Sequence, residues 1–392
     1  MECGSPPFVD IQRPRDSVGA ETPGMTPFER TQAALGRLEP DRAPVFCFMD
    51  PTSPGVSPSL RAHLSACADV FFTRVLPFGF QCTGLDPARV VEESGDGWTR
   101  TTFRFEGGVA FTEVTKPGVN ADYIGYRKHL IETAADLEAI LELPSVPPRR
   151  NPLLDAWLRE LSSFASHVRP PGAFFRIAFL GPLGVLADAM NPADFALLTL
   201  EHPSLARRYL EVTRERQAAC LDAVLPRLGV PAILTISGAE YAIPPLMGPT
   251  AFRELVEPYE APLIELIHSR GMRVYYHCHG KVRRFLPGFI AMAADGIHPL
   301  EPPGNTGDCD LAEVKREFGK DICLIGNIQY DSLVRSTPRE VDALVREVVE
   351  TARPGGGFIL SPSCTPYHNP LPAAVERNIV AFIDAGLRYG AA

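Results

Sequence analysis

The sequence predicts an α/β fold of eight strand-helix repeats, the number that a closed parallel barrel requires. Three observations lead there. Short apolar runs alternate with longer amphipathic segments over most of the 392 residues. The composition, 45% hydrophobic and 22% charged, is that of a chain able to bury a large core, which sets global disorder aside. No strand candidate runs into the GxGxxG turn of a dinucleotide site, and the triple glycine at 355–357 precedes its strand instead of following it. It therefore reads as a helix terminator and turn, which weakens the nicotinamide-binding alternative. An open doubly wound sheet shares the same alternation, so closure is not settled by the pattern.

Taken in order, residues 1–25 read as a flexible leader or substrate-side flap, and 26–392 as a single catalytic domain. TPFERTQAALGRL reads as a short helix, and APVFCFMD as a first strand ending at Asp50. DVFFTRVLPFG is a second strand, followed by a loop holding Cys82. WTRTTFRFEGGVAFTEVTKPG, residues 98–118, alternates polar and apolar residues about Gly107-Gly108 and predicts a β-hairpin insertion over one end of the barrel. IETAADLEAILEL and LLDAWLRELSSFASHV are helical. Six more strands follow: FFRIAFLG, AILTISGAE, RVYYHCHG, GIHPLEP, ICLIGNI and GGFILSPSC. Between them, AFRELVEPYEAPLIELIHSRG carries Phe252, Leu255, Val256, Tyr259, Leu263 and Ile267 as an inward stripe.

Charge and cysteine content narrow the function. Lys and Arg total 38 against 47 Asp and Glu, a formal charge of -9, and no long basic run offers a phosphate-binding stripe, which argues against nucleic acid. The opening residues lack a secretory apolar segment, and Arg176, Pro182 and Asp188 interrupt FFRIAFLGPLGVLADAM, so a cytoplasmic protein without membrane insertion is expected. Nine cysteines, at 3, 47, 67, 82, 220, 278, 309, 323 and 364, are too sparse for a disulfide framework and are expected as thiols.

The chemistry-bearing residues cluster at predicted strand ends. His277 and His279 lie two apart in RVYYHCHG, so both face one side of a strand while Cys278 faces the other. Such a pair serves as metal ligands or as ordinary polar packing. Cys364, after the last strand, opens on the same mouth of a barrel. Together the three would fill three positions of a tetrahedral zinc site and leave one for substrate, with a buried or surface thiol as the alternative. Glu240, Glu301 and Asn327 follow three other strands and are candidate catalytic groups that move a proton or orient substrate. Asp50 reads first as a cap to the PTSP turn, and Arg283 and Arg284 as a solvated helix face.

From HCHGKVRRFLPGFIAMAADGIHPLEPPGNTGDCDLAEVKREFGKDICLIGNIQYDSLVRSTPREV to GGGFILSPSCTPYHNPLPAAVERNI, the chain resembles the uroporphyrinogen decarboxylase superfamily, most strongly over Ala232–Ala385. The resemblance implies a closed (β/α)8 TIM barrel. True uroporphyrinogen decarboxylases carry an N-terminal RQAGR-like stretch that grips substrate carboxylates. Here that region reads APVFCFMDPTSPGVS, so a polycarboxylate substrate would need its cations elsewhere. The corrinoid-dependent methyltransferase branch supplies zinc ligands from a His-any-Cys motif and a late cysteine. His277 matches the family histidine, His279 stands where the first cysteine stands, and Cys364 matches the late one.

That branch implies a zinc-dependent methyltransferase moving a methyl group between a small substrate and a corrinoid such as methylcobalamin. No DxHxxG signature is present, so the corrinoid would be held by a separate protein. The identity of the methyl donor or acceptor and the oligomeric state stay open. Two alternatives are a metal-independent decarboxylase of a carboxylated substrate and a non-catalytic metal- or ligand-binding barrel.

Overall fold

The structure, a computed structural model, describes residues 24–53, 55–76, 90–95, 97–104, 110–117, 124–143, 148, 151–167, 172–304 and 306–391. The leader up to residue 23 and the loop carrying Cys82 lie outside them. Eleven strands are described: β1 Phe71–Val75, β2 Val90–Gly95, β3 Trp98–Arg104, β4 Ala110–Pro117, β5 Ile124–Lys128, β6 Phe174–Leu180, β7 Ala232–Ser237, β8 Val274–His277, β9 Gly296–His298, β10 Cys323–Ile328 and β11 Phe358–Pro362.

Seven of them form a curled, open, all-parallel sheet in the order β1-β6-β7-β8-β9-β10-β11, with helices in the crossovers. The sheet therefore has seven strands where eight were expected. The missing one is APVFCFMD, which makes a single bridge, Val45 to Leu360. Its local chemistry explains why. Pro44 has no N–H to donate, the Val45 N–H is taken by the Asp69 carboxylate at 2.7 Å, and Phe48 turns the chain at φ 50°. Even so, Phe46 N–H donates to Leu360 O, and Asp69 N–H to Val45 O, so residues 44–46 touch both edges of the sheet.

β2 to β5 form a separate antiparallel sheet in sequence order. β3 and β4 pair from Thr99 with Thr115 to Arg104 with Ala110, within the 98–118 segment. Flanking strands extend it to four, β2 pairing with β3 and β5 with β4.

Helix boundaries follow capping chemistry. Thr26 and Glu29 form a reciprocal capping box that starts the helix Pro27–Leu35, and Thr133 with Asp136 starts Ala134–Leu141 in the same way. The 252–267 stripe is buried as its spacing predicts, but across two helices, Pro249–Leu255 and Glu257–Ser269. Val256, at φ -113°, interrupts them just before Pro258, whose ring disfavours a continuous helix.

Inside the sheet, Phe71, Phe174, Ile233, Cys323 and Ile359 come from strand beginnings and pack with Phe46, Ala34 and Leu35. The helix Pro27–Leu35 thus plugs the N-terminal end of the strands. The C-terminal end is left for a cleft, as in parallel α/β folds generally.

Between sheet and helices, Glu260 is fully buried and accepts a hydrogen bond from the Tyr276 hydroxyl. A Cβ at Gly181 would lie 2.1 Å from Glu260 Oε1, so only glycine fits against this carboxyl. Burial pushes the Glu260 pKa up to about 8, reinforced by the charge of Glu240 and opposed by the Tyr276 hydrogen bond. A raised carboxyl pKa means that the folded chain keeps a proton which the unfolded chain releases. Stability attributable to this group is therefore full below the unfolded value and declines as pH rises towards 8. Glu260→Gln removes that decline and is expected to gain on the native protein by up to about 1.4 kcal/mol per pH unit between pH 5 and 8. Urea unfolding at both pH values measures it, and parallel pH dependence in the two proteins would contradict the assignment.

Candidate functional site

The alternation of β6, β7 and β8 places Arg176, Thr235, Ser237 and His277 on the inner face of the sheet, towards the C-terminal ends of their strands. With Phe48, His279, Cys364 and Tyr367 they line a cleft of about 560 Å³. The expected convergence of His277, His279 and Cys364 is thus present, although Cys364 follows the histidines by more than 80 positions. The cleft mouth is where the ends of parallel strands meet the loops that follow them.

His277 does not stand free. Its Nδ1 lies 2.8 Å from Nδ1 of His298, a fully buried residue whose Nε2 lies 3.0 Å from the Pro362 carbonyl. Burial drives both imidazoles towards the neutral form. It lowers the His298 pKa to about 3, with His279 and Arg176 adding to the effect and the Pro362 carbonyl opposing it. His277 moves in the same direction, from burial first and then from His298, His279 and Arg176.

Neutrality fixes the tautomers. A carbonyl only accepts, so His298 Nε2 carries the proton and donates it to Pro362. His298 Nδ1 is then the acceptor, and His277 Nδ1–H donates to it. What remains is the Nε2 lone pair of His277, held as an acceptor. The ring of His298 also stacks on Phe48 at 4.2 Å, which locks the pair in place.

His279, after β8, sits at 4.7 Å and nearly perpendicular to His277. Its Nδ1 is 3.5 Å from Glu301 Oε1. Burial alone would raise the Glu301 carboxyl. The His279 and Gly280 N–H hydrogen bonds and the charge of His279 outweigh it, so Glu301 stays below the ordinary carboxylate range. Glu240 lies at the turn after β7 and accepts from Gly238 N–H. Burial raises its pKa, against that hydrogen bond and the charge of His279. Asn327 is buried on the inner face of β10.

Besides His298, two groups that the sequence left out complete the site. Arg176 donates from Nε to Thr73 Oγ1 at 3.2 Å and packs beside the rings of Phe48 and Phe71. Its two terminal nitrogens have no hydrogen-bond or ion-pair partner among the described residues. Thr235 is 1% exposed, and its hydroxyl has no partner among the described residues. An arginine inside an otherwise apolar strand, in phase with the inward Phe174, was the available signal for the first. His298 gave the same kind of signal, a lone histidine in the apolar strand β9.

The other charged candidates resolve as local structure. Asp50 Oδ1 accepts from Thr52 N–H and hydroxyl, capping its own turn. Arg283 pairs with Glu313 and Glu317 on the helix surface. The seven described cysteines are all thiols. No helix among the described residues is long and apolar enough to cross a membrane.

The zinc expectation is corrected. Zinc needs three or four donors converging at about 2.0–2.3 Å on one point. Among the described residues no group of three or more His, Cys, Asp or Glu side chains is arranged to hold a metal ion. His277, His279 and Cys364 therefore share a cleft without forming a ligand set. The zinc-dependent methyltransferase reading falls with the site. So does the reason for methylcobalamin or a separate corrinoid protein.

Comparison with known proteins bears on the fold and the family. A methyltransferase from Methanosarcina mazei superimposes with a TM-score of 0.62 at 18% identity, covering 93% of this chain and 99% of that one. At that identity the likeness is one of fold. A putative dehydratase from Mesorhizobium loti (11% identity, 70% and 85% coverage, TM-score 0.22) and a muconate lactonizing enzyme from Pseudomonas putida (13%, 76% and 76%, 0.20) are too dissimilar to carry any argument. No curated protein matches the sequence. The family described as Uroporphyrinogen decarboxylase (URO-D) matches residues 129–388, which span the cleft from β6 to β11. The chain belongs to the uroporphyrinogen decarboxylase family.

Proposed function

We propose that this protein is a metal-independent decarboxylase of a small carboxylated substrate. The observation that carries the reading is Arg176, a guanidinium whose terminal nitrogens lack a partner among the described residues, facing the same cleft as two imidazoles. Arg176 is half-buried among aromatic rings, where a guanidinium without an anion loses hydration that a ligand carboxylate would replace. Arginine presents two parallel N–H donors that match a carboxylate. Family membership supports the same reaction class.

Decarboxylation replaces the carbon–carboxylate bond with a carbon–hydrogen bond, consuming one proton and releasing carbon dioxide. In this reading Arg176 binds and orients the carboxylate, while the apolar rings of Phe48 and Phe71 limit water around it. His279, oriented through Nδ1 by Glu301, delivers the proton from its other nitrogen. Glu240 and Asn327 border the same mouth as substrate-positioning groups. Hydrogen bonds from the segment 44–46 to Leu360 of β11 and to Asp69, two residues before β1, support reading it as the eighth position of a barrel.

A panel of carboxylated aromatic and heteroaromatic acids, incubated with protein in deuterium oxide and a chelator, tests the reaction. Expected are carbon dioxide release and one deuterium on the carbon that lost it. Arg176→Met is expected to lower kcat/KM at least about 30-fold, the loss of two charge-assisted hydrogen bonds. Turnover without carbon dioxide release, or an Arg176→Met rate equal to native, would reject the assignment.

A further inference from the structure

The decarboxylase reading leaves the substrate unspecified, and the charge layout of the cleft narrows it. Arg176 is the only Lys or Arg among the described residues that line the cleft. Beside it, Thr235 offers a hydroxyl that is buried, lacks a partner among the described residues and faces the same space. Two guanidinium nitrogens and one hydroxyl make a subsite for one carboxylate.

Across the cleft the chemistry has the opposite sense. His277 presents a lone pair, not a proton, because the Pro362–His298–His277 chain fixes its tautomer. Behind His279 stand Glu301, 3.5 Å away, and Glu240, close enough for its carboxyl to sense the His279 charge. A second ligand carboxylate placed there would meet an acceptor and two acidic groups, with the His279 imidazole already facing Glu301 and no Lys or Arg besides Arg176 among the described residues that line the cleft. A ligand hydroxyl or N–H would instead satisfy the His277 lone pair. The aromatic walls Phe48 and Tyr367 suit a flat body between the two ends.

Resting on the decarboxylase reading, we propose that the substrate class is a flat conjugated monocarboxylate with an O–H or N–H donor at the end opposite its carboxylate, and that polycarboxylates are excluded. The layout also serves the reaction. As His277 accepts the donor's proton, electron density moves into the conjugated body and onto the carbon bearing the carboxylate. That carbon takes a proton from His279, and the carbon–carboxylate bond then breaks. Carbon dioxide departs, its bonding pair restores the conjugated system, and the proton held by His277 returns to the donor oxygen or nitrogen. The net change is the carboxylate plus one proton giving the C–H product plus carbon dioxide.

Calorimetric titration with four probes tests the binding claim apart from turnover: 4-hydroxybenzoate, benzoate, phenol and benzene-1,3,5-tricarboxylate. The expected order places 4-hydroxybenzoate about 10-fold or more above both benzoate and the tricarboxylate, each missing hydrogen bond or added repulsion weighing about one decade. Arg176→Met is expected to weaken 4-hydroxybenzoate about 30-fold and leave phenol unchanged, with Arg176→Lys intermediate. Thr235→Val supplies a second variant should Arg176→Met fail to fold, with about 5-fold weaker 4-hydroxybenzoate binding expected. Tricarboxylate binding as tight as 4-hydroxybenzoate, no binding of either monocarboxylate, or variants that bind 4-hydroxybenzoate like the native protein would each overturn the proposal. Carbon dioxide release is followed in parallel. Monocarboxylate binding in the expected order without release of carbon dioxide from any acid overturns the decarboxylase reading alone. Release from polycarboxylates overturns the substrate class alone.

Discussion

His277→Gln is expected to lower kcat by about 10² to 10⁴, the range for losing a positioned acid-base group. The argument rests on a chain of three groups. Pro362 O orders the His298 proton, His298 Nδ1 orders the His277 proton, and the remaining Nε2 lone pair faces the cleft. Because burial and His298 lower the His277 pKa, its unprotonated form persists below the ordinary histidine range near 6.5. The acid limb of the kcat/KM profile should lie correspondingly low.

His298→Phe tests the positioning role separately. It keeps the stack on Phe48 but removes the Nδ1 acceptor, so His277 gains access to both tautomers. A drop of about 10-fold in kcat is expected, together with an upward shift of the acid limb as one source of the lowered pKa disappears. A purely structural role for His298 would change thermal stability and leave the limb in place.

Asp69→Ala is expected to cost about 3–5 kcal/mol of folding stability, the usual penalty for removing one partner of a buried charge cluster. Against a typical total of about 5–15 kcal/mol this is a large fraction. Asp69 is 1% exposed and binds Arg30 and Arg42 at 2.6 Å each, as well as the Val45 N–H at 2.7 Å. Without it, the Arg30 guanidinium keeps only Asp41 and the Met25 carbonyl, and the Val45 N–H loses its carboxylate acceptor. Arg335→Ala removes an exposed pair with Asp331 and serves as the control, with less than about 1 kcal/mol expected. Urea unfolding of the two variants side by side decides the matter. Similar midpoints would mean that the seam carries no special stability.

Much of the architecture was legible in local pattern. Short apolar runs located the seven strands of the main sheet, and amphipathic spacing located helices between them, because both patterns depend on neighbours within about four positions. Strand pleating predicted a shared face for His277 and His279; β8 ends at His277, and it is the loop after it that brings the His279 ring beside His277. APVFCFMD read as a strand because its apolar content is right. Whether it joins a ladder depends on which acceptor its Val45 N–H meets, and Asp69 lies 24 residues away.

The chemistry of the site was the part that only tertiary structure decided. Arg176 registered in the sequence as a break in an apolar run, since a lone cation carries no mark of whether an acid will face it. His298 sits 21 residues from His277, and Pro362 another 64 further on. Their hydrogen bonds exist because the curled parallel sheet brings the ends of β8, β9 and β11 to one mouth. A zinc reading needs only residue types at plausible positions, whereas a zinc site needs lone pairs converging on one point. Sequence determined that His277, His279 and Cys364 fall near strand ends; the curl of the sheet determined that Arg176 and Thr235 join them in one cleft and that His277 meets His298, because hydrogen-bond partners are chosen by distance in space and not by spacing along the chain.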